Sequence, residues 1–202
     1  MFFRSTVLLA LFAAAPVLVA TAHADIRNDI ARCAGISDDG ARLQCFDNAA
    51  AAMQAERNAA ASRAAEALKR EFRFDRGALT GPLSLRVNVS GNLVLSRDTA
   101  AGREVEETAR RIGKALGDID GWSLSIVVHG GKVALSRGNP YSGGELLAQS
   151  RAGMARSGLP EDRYTVALGP DAEPELWDDG RVRNANEHID IEIVGLGETP
   201  TR

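Results

Sequence analysis

The sequence predicts a small two-layer α/β sandwich, in which helices cover one face of a mixed sheet, preceded by a helical hairpin and a long helix. Two observations predict it. Residues 39–72 contain no proline and no glycine after Gly40, and alanine recurs throughout, which is typical of a long helix. Beyond residue 82 apolar and polar residues alternate in short runs that are separated by amphipathic segments. The predicted order of the C-terminal elements is β-α-β-α-β-β.

The N-terminus has the features of a secretory signal peptide. Arg4 precedes an apolar run over residues 7–20, and Ala22-His23-Ala24 has the small-residue spacing of a cleavage site. A retained membrane anchor is the alternative, but the run is short and contains Pro16. We expect residues 1–24 to be removed and the mature protein, starting at Asp25, to be a soluble periplasmic protein without a membrane span.

Composition and motifs exclude several function classes. The formal net charge of −3 is small and mixed in sign, so no basic stripe indicates nucleic-acid binding. No nucleophile elbow or phosphate-binding loop occurs. His129 and His188 are more simply interpreted as ordinary structural or solvated side chains than as catalytic groups. The sequence therefore predicts a protein that is not an enzyme and that uses neither a cofactor nor a metal.

The two cysteines, Cys33 and Cys45, are the only ones in the chain. An even pair in a chain directed to an oxidising compartment predicts a disulfide. A metal site needs more ligands than this pair offers, and a redox motif needs only two residues between the sulfurs. We therefore predict a structural disulfide that joins a short helix over 26–34 to the start of the long helix.

The long helix carries a thin apolar stripe that is interrupted by Arg57. Because alanine side chains bury little area, the stripe suits a spacer better than a core helix, and pairing with a partner or a second copy is the alternative. The oligomeric state stays open. The stripe consists of Leu43, Phe46, Ala50, Met53, Ala60, Ala64 and Leu68.

The glycines and the proline within residues 75–82 predict a linker between the helical part, 25–74, and a sheet domain over 83–196. Residues 197–202 are predicted to be a disordered tail. Within the domain we expect a hairpin over 83–95, helices over 102–116 and 144–157, and strands over 122–128, 164–168 and 188–194. We expect residues 83–194 to fold independently.

The segment around the cysteines resembles an N-terminal motif of exported proteobacterial proteins, including accessory proteins of type VI secretion. The two cysteines flank Ile36-Ser37-Asp38-Asp39, and Arg42-Leu43 precedes the second cysteine. The motif covers about sixteen residues and is attached to different C-terminal parts. It therefore implies export and says nothing about activity.

The C-terminal part resembles the OmpA-like domain, a periplasmic module that holds peptidoglycan non-covalently through its diaminopimelate group. The resemblance implies a peptidoglycan ligand and places Arg151 where the family's ligand-clamping arginine lies. The matching segments, in the expected order, are residues 123–128, 146–152, 157–164, 167–169 and 186–193.

The chain departs from the family at two positions of the predicted site. The family has an aspartate just after the second strand, where this chain has Gly130-Gly131, and its Asn-Arg-Arg becomes Asn186-Glu187-His188. With the aspartate absent, the ligand's ammonium is expected to use backbone carbonyls, Asn139 or the Tyr141 hydroxyl. On this interpretation, Gly131→Asp strengthens binding.

Two functions follow from the sequence. The first is a non-enzymatic envelope protein that associates with peptidoglycan through Arg151, Asn139 and Tyr141. The alternative is a protein-interaction adaptor of an envelope machine such as type VI secretion, in which the OmpA-like domain has lost its ligand and the disulfide hairpin contacts a protein partner.

Overall fold

A computed structural model describes residues 26–75, 78–89, 100–131, 142–176, 178–180, 182–184 and 187–197. The chain forms two compact units, 1–50 and 51–202, and the boundary falls inside the long helix. The predicted signal peptide, Asn139, Tyr141 and the second strand of the predicted hairpin lie outside the described residues. No helix in the described ranges is both long and apolar enough to cross a membrane.

The N-terminal unit contains helix α1, Ile26–Ala34, and the start of α2, Asp39–Glu71. The Asp38 carboxylate caps α2 by accepting a hydrogen bond of 2.8 Å from the backbone N–H of Ala41. Cys33 and Cys45 form the predicted disulfide, with their Cα atoms 5.4 Å apart. Closing a loop of this size stabilises the unit by about 3 kcal/mol in the chain-entropy model.

The C-terminal part of α2 belongs to the core of the second unit, although the sequence favoured a spacer. Leu43 is 64% exposed and Met53 is 37% exposed, so the early part of the predicted stripe is not buried. The last turns bury a closely spaced set of small residues against the sheet domain, since alanine lets the helix backbone approach. The buried residues of α2 are Ala61, Ala64, Ala67 and Leu68, with Phe72 just beyond its end.

The main sheet has five strands in the order β1-β2-β7-β3-β4. The β3–β4 pair is parallel, and the other neighbours are antiparallel. The C-terminal strand β7 thus lies between β2 and β3. The strands are β1 Leu79–Gly81, β2 Ser84–Asn88, β3 Ser123–His129, β4 Tyr164–Leu168 and β7 His188–Val194, and a separate hairpin joins β5 Glu175–Leu176 to β6 Val182–Asn184.

The predicted fold class is confirmed. Helices α3, Ala100–Ala115, and α4, Gly143–Arg156, alternate with the strands as expected, giving the order β2-α3-β3-α4-β4-β7 in the main sheet. The sequence missed β1, which lies inside the segment predicted as a linker, and the β5–β6 hairpin. These three strands, β1, β5 and β6, have only two or three residues each and are too short to show an alternating pattern.

One face of the sheet carries the core. Alternate residues of β2, β3 and β7 point inward and pack with α3, α4 and the end of α2. The intervening residues form the outer face, which is polar and half-exposed. The inward residues are Leu85, Val87, Leu124, Ile126, Val128, Ile189, Ile191 and Ile193.

Helices α3 and α4 lie in close contact at two glycines, Gly102 and Gly153. A β carbon built on Gly153 of α4 would overlap the backbone carbonyl oxygen of Gly102 in α3. A β carbon on Gly102 would lie 2.7 Å from the backbone oxygen of Gln149. Because both opposing atoms belong to backbone, they cannot rotate away, and the helix spacing depends on the absence of these side chains.

We expect Gly153→Ala to destabilise the sheet domain. Replacing a helical glycine by alanine normally stabilises by about 1 kcal/mol. Here the added methyl group must push two helices apart, and such overpacking costs about 1–3 kcal/mol. A lower midpoint in a urea unfolding experiment, followed by circular dichroism, checks the expected loss.

The matched control is Gly144→Ala in the same helix. Its β carbon would meet only the Ser142 hydroxyl, at 4.0 Å. This variant should be neutral or gain up to about 1 kcal/mol. Equal midpoints for the Gly153 and Gly144 variants would contradict the close contact.

Candidate functional site

The predicted ligand site lies where β3 ends and α4 begins. A β carbon on Gly130 would overlap the backbone of Gly143, the first residue of α4, so the strand end abuts the helix N-terminus. Ser142 caps the helix by accepting a bond of 3.2 Å from the Glu145 N–H, while the Ser142 N–H donates to the Glu145 carboxylate at 2.8 Å. The glycines at 130 and 131 thus allow a tight junction.

A buried carboxylate fills the space beside Gly131. Glu187 is only 4% exposed, and a β carbon on Gly131 would lie 2.6 Å from its Oε1 atom and 2.8 Å from its Cδ atom. The side chain of Glu187 therefore occupies the volume that a side chain at position 131 would need. Glu187 thus places a carboxylate at the end of β3 from just before the neighbouring strand β7.

Strand pairing explains why Glu187 lies there. His129 of β3 and His188 of β7 are direct partners in the antiparallel ladder, so the residue that precedes His188 lies beside the residues that follow His129. Glu187 also shares the inward-facing alternation of Ile189 and Ile191. These two facts turn its carboxylate toward Gly131.

This arrangement changes the expectation for Gly131→Asp. An aspartate at this position would force its β carbon against the Glu187 carboxylate and place two like charges together. The single substitution should therefore not strengthen ligand binding, contrary to the expectation from sequence.

Arg151 lies on the exposed side of α4, roughly two turns after Gly143, about 12 Å along the helix axis. Its guanidinium makes no ion pair or hydrogen bond with any other described residue. The neighbouring Ser150 is fully buried, and its hydroxyl has no hydrogen-bond partner within the part of the chain that the structure describes.

A second group of polar side chains lies on the outer face of the sheet. The rings of His129 and His188 stack with centroids 4.5 Å apart and an interplanar angle of 19°. Asp190 lies beside both, with its Oδ2 atom 3.6 Å from Nε2 of His129 and 3.5 Å from Nε2 of His188. Arg86 donates to the Asp190 carboxylate through two bonds, of 2.7 and 3.1 Å.

The environment stabilises the charged form of Asp190. Partial burial alone would raise the pKa of this carboxyl. The hydrogen bonds from Arg86, together with the positive charges of Arg86 and of the two histidines when protonated, outweigh burial and lower the pKa below its ordinary value. Asp190 is therefore an anion at neutral pH.

The sequence predicted Arg151 as a candidate site residue but indicated neither Glu187 beside Gly131 nor the pairing of His129 with His188. A signal for Glu187 was present, because an acidic residue occupies an inward position in the alternating series Glu187, Ile189, Ile191, Ile193. The histidine pair has no comparable signal. It depends on the pairing register of β3 with β7, which neither strand specifies alone.

The chain is similar to several solved structures. A putative MotB-like protein from Desulfovibrio vulgaris is 14% identical with a TM-score of 0.47, and the match covers 72% of this chain and 98% of that one. The cell wall anchor of the T6SS from Pseudomonas aeruginosa is 21% identical with a TM-score of 0.42, covering 67% and 98%. The periplasmic domain of Helicobacter pylori MotB is 16% identical with a TM-score of 0.37, covering 55% and 75%.

No protein-family model matches the sequence, and no curated protein matches it either.

Proposed function

We propose that this protein is a non-enzymatic periplasmic envelope protein whose sheet domain binds the diaminopimelate group of peptidoglycan. Arg151 binds a carboxylate of that group, and Glu187 receives its ammonium. The observation that carries the proposal is the buried Glu187 carboxylate in the volume beside Gly131. It supplies the charge whose absence was the main departure from the OmpA-like pattern.

The two side chains suit a ligand that carries both charges. A guanidinium grips a carboxylate through two parallel hydrogen bonds, which lysine cannot reproduce. A carboxylate with little exposure attracts an ammonium more strongly than one in open water. Glu187 also takes part in another interaction within the protein, so the ligand would share this carboxylate, and binding should be weaker than with a dedicated aspartate.

The adaptor function is the second candidate. Ile30 of α1 and Leu43 of α2 are large apolar side chains that are 49% and 64% exposed in the disulfide-linked unit. If these two side chains belong to one continuous apolar patch, that patch is where a protein partner would bind. On this candidate the N-terminal unit is the functional surface and the sheet domain has no peptidoglycan ligand.

We expect the full-length chain to sediment with purified peptidoglycan that contains diaminopimelate. Arg151→Ala should lower the affinity roughly tenfold or more, because a charged hydrogen bond contributes about 1.5–3 kcal/mol. Glu187→Gln should weaken binding by a similar factor. Arg103→Ala removes an exposed arginine of the neighbouring helix α3 and should leave retention unchanged.

The outcomes separate the two candidates. If the unmodified chain does not sediment with peptidoglycan, the adaptor function is favoured. Equal retention of the Arg151 and Arg103 variants would eliminate the site at α4. Gly131→Asp should reduce retention on peptidoglycan when it is introduced alone. The double substitution Gly131→Asp with Glu187→Ala should restore retention, because the new aspartate at the end of β3 then supplies the carboxylate that Glu187 no longer provides.

A further inference from the structure

The outer face of the main sheet presents three metal-ligating side chains on two adjacent central strands. We propose that His129, His188 and Asp190 together bind a divalent transition-metal ion, with Zn²⁺ the best fit to the donor set. The site uses neither Arg151 nor Glu187, so it is independent of the proposed peptidoglycan function.

The spacing of the donor atoms fits such an ion. One donor atom from each residue lies within 4.8 Å of the other two. The distances from Asp190 Oδ2 to the two Nε2 atoms, 3.5 and 3.6 Å, exceed those of hydrogen bonds. Metal–ligand bonds of about 2.0–2.2 Å in tetrahedral geometry place neighbouring ligand atoms about 3.3–3.6 Å apart. The distance from the Asp190 carboxylate oxygen to each imidazole nitrogen thus matches the distance between two ligand atoms of a tetrahedral zinc site.

The surrounding groups orient the ligands. Nδ1 of His129 lies 2.8 Å from the carbonyl oxygen of Pro170. Because a carbonyl can only accept, Nδ1 carries the proton in this bond, and a neutral ring then keeps its lone pair on Nε2, facing Asp190. Metal-bound histidines typically donate their other ring N–H in this manner. Arg86 holds the Asp190 carboxylate through two hydrogen bonds.

The backbone holds the three residues in place. His129 and His188 are directly paired across β3 and β7, and Asp190 follows two positions along β7, on the same face. The side chains of both histidines are mostly buried, at 16% and 14% exposure. The two rings are stacked with their planes only 19° apart, so binding requires at least one ring to rotate about its side-chain torsions until both Nε2 lone pairs point at the ion.

The donor set selects among ions. Imidazole nitrogens favour Zn²⁺, Ni²⁺ and Cu²⁺, whereas Mg²⁺ and Ca²⁺ prefer sites made of oxygen atoms. Three protein ligands leave one tetrahedral position for water or for an external ligand. The adjacent Arg86 guanidinium repels a cation, so we expect weaker binding than in a site whose carboxylate has no such neighbour.

Calorimetric titration of the untagged full-length chain with Zn²⁺ tests the site. We expect one Zn²⁺ per chain at this site and no heat from Mg²⁺ or Ca²⁺ at the same concentrations. Each of three variants should weaken Zn²⁺ binding at least about tenfold: His129→Gln, His188→Gln and Asp190→Asn. Loss of a group that only orients a ligand already lowers metal affinity by about ten- to a hundredfold, and loss of a ligand should cost no less. Glu192→Gln, on the same strand and face, is the matched control and should bind like the unmodified chain.

Two results would overturn the proposal. One is the absence of Zn²⁺ binding to the unmodified chain. The other is unchanged affinity in the histidine variants, with folding verified by circular dichroism. If a variant does not fold, nuclear magnetic resonance of the unmodified chain decides, because Zn²⁺ must shift the ring-nitrogen signals of both His129 and His188. A shift of neither signal would reject the site.

Discussion

A chain that begins at Gly81 will lack a cooperative unfolding transition, whereas a chain that begins at Ala51 will retain one. The last turns of α2 supply buried side chains to the same core as the sheet, α3 and α4, and a start at Gly81 removes all of them. The side chains lost are Ala64, Ala67, Leu68 and Phe72.

The truncation also removes polar contacts of α3. Arg111 donates to the Glu71 carboxylate at 2.9 Å and to Asp75 at 2.7 Å, and its guanidinium lies 4.1 Å from the centre of the Phe72 ring. Burial would lower the pKa of Arg111, but these hydrogen bonds outweigh it and raise the pKa. Without the helix, this guanidinium loses every one of these partners.

Urea unfolding of both chains, followed by circular dichroism, measures the difference. The longer chain should show a single transition, and the shorter chain a gradual change or aggregation caused by its exposed apolar face. Equal midpoints and slopes would show that residues 83–194 fold without α2, as the sequence alone predicted.

Leu68→Ala should lower the free energy of unfolding by about 2–5 kcal/mol, the range for a leucine truncated in a packed core. The Leu68 side chain is fully buried among residues of the sheet domain. Alanine leaves a cavity there, and the helix backbone cannot move inward freely because its neighbours Ala64 and Ala67 already lie against the domain.

Leu43→Ala is the matched control, since it makes the same chemical change in the same helix at a residue that is 64% exposed. It should change the free energy of unfolding of the sheet domain by less than about 0.5 kcal/mol. Denaturant midpoints of the two variants measure the contrast. Similar losses in both would contradict a specific role of Leu68 in the core, because alanine is the better helix former and neither loss could come from helix propensity.

The sequence predicted the fold well where periodicity extends over many residues. Helices α1 to α4 and strands β3, β4 and β7 were expected within a few residues of their bounds. The sequence could not predict whether α2 is a spacer or a core helix, because an alanine stripe has the same composition in both. Only the position of Leu68 in three dimensions distinguishes them.

The candidate sites were predictable only in part. Arg151 could be named because its local motif resembles a known one. Glu187 beside Gly131, and the group formed by His129, His188 and Asp190, exist only through the register of β3 with β7. A shift of that register by two residues would keep the apolar faces inward and still separate each group, so the alternation in either strand does not by itself fix these pairings.

The central place of β7 has a consequence for how the molecule folds. Chains are synthesised from the N-terminus, yet β2 and β3 can join only through β7, which follows both in the sequence, and Arg86 meets Asp190 across 104 residues. Closing so long a loop makes sheet assembly a late and comparatively slow step. Until β7 pairs with them, β2 and β3 each expose an unpaired edge that can join another chain. The strand order thus leaves both parts of the sheet open to intermolecular pairing until β7 lies between them.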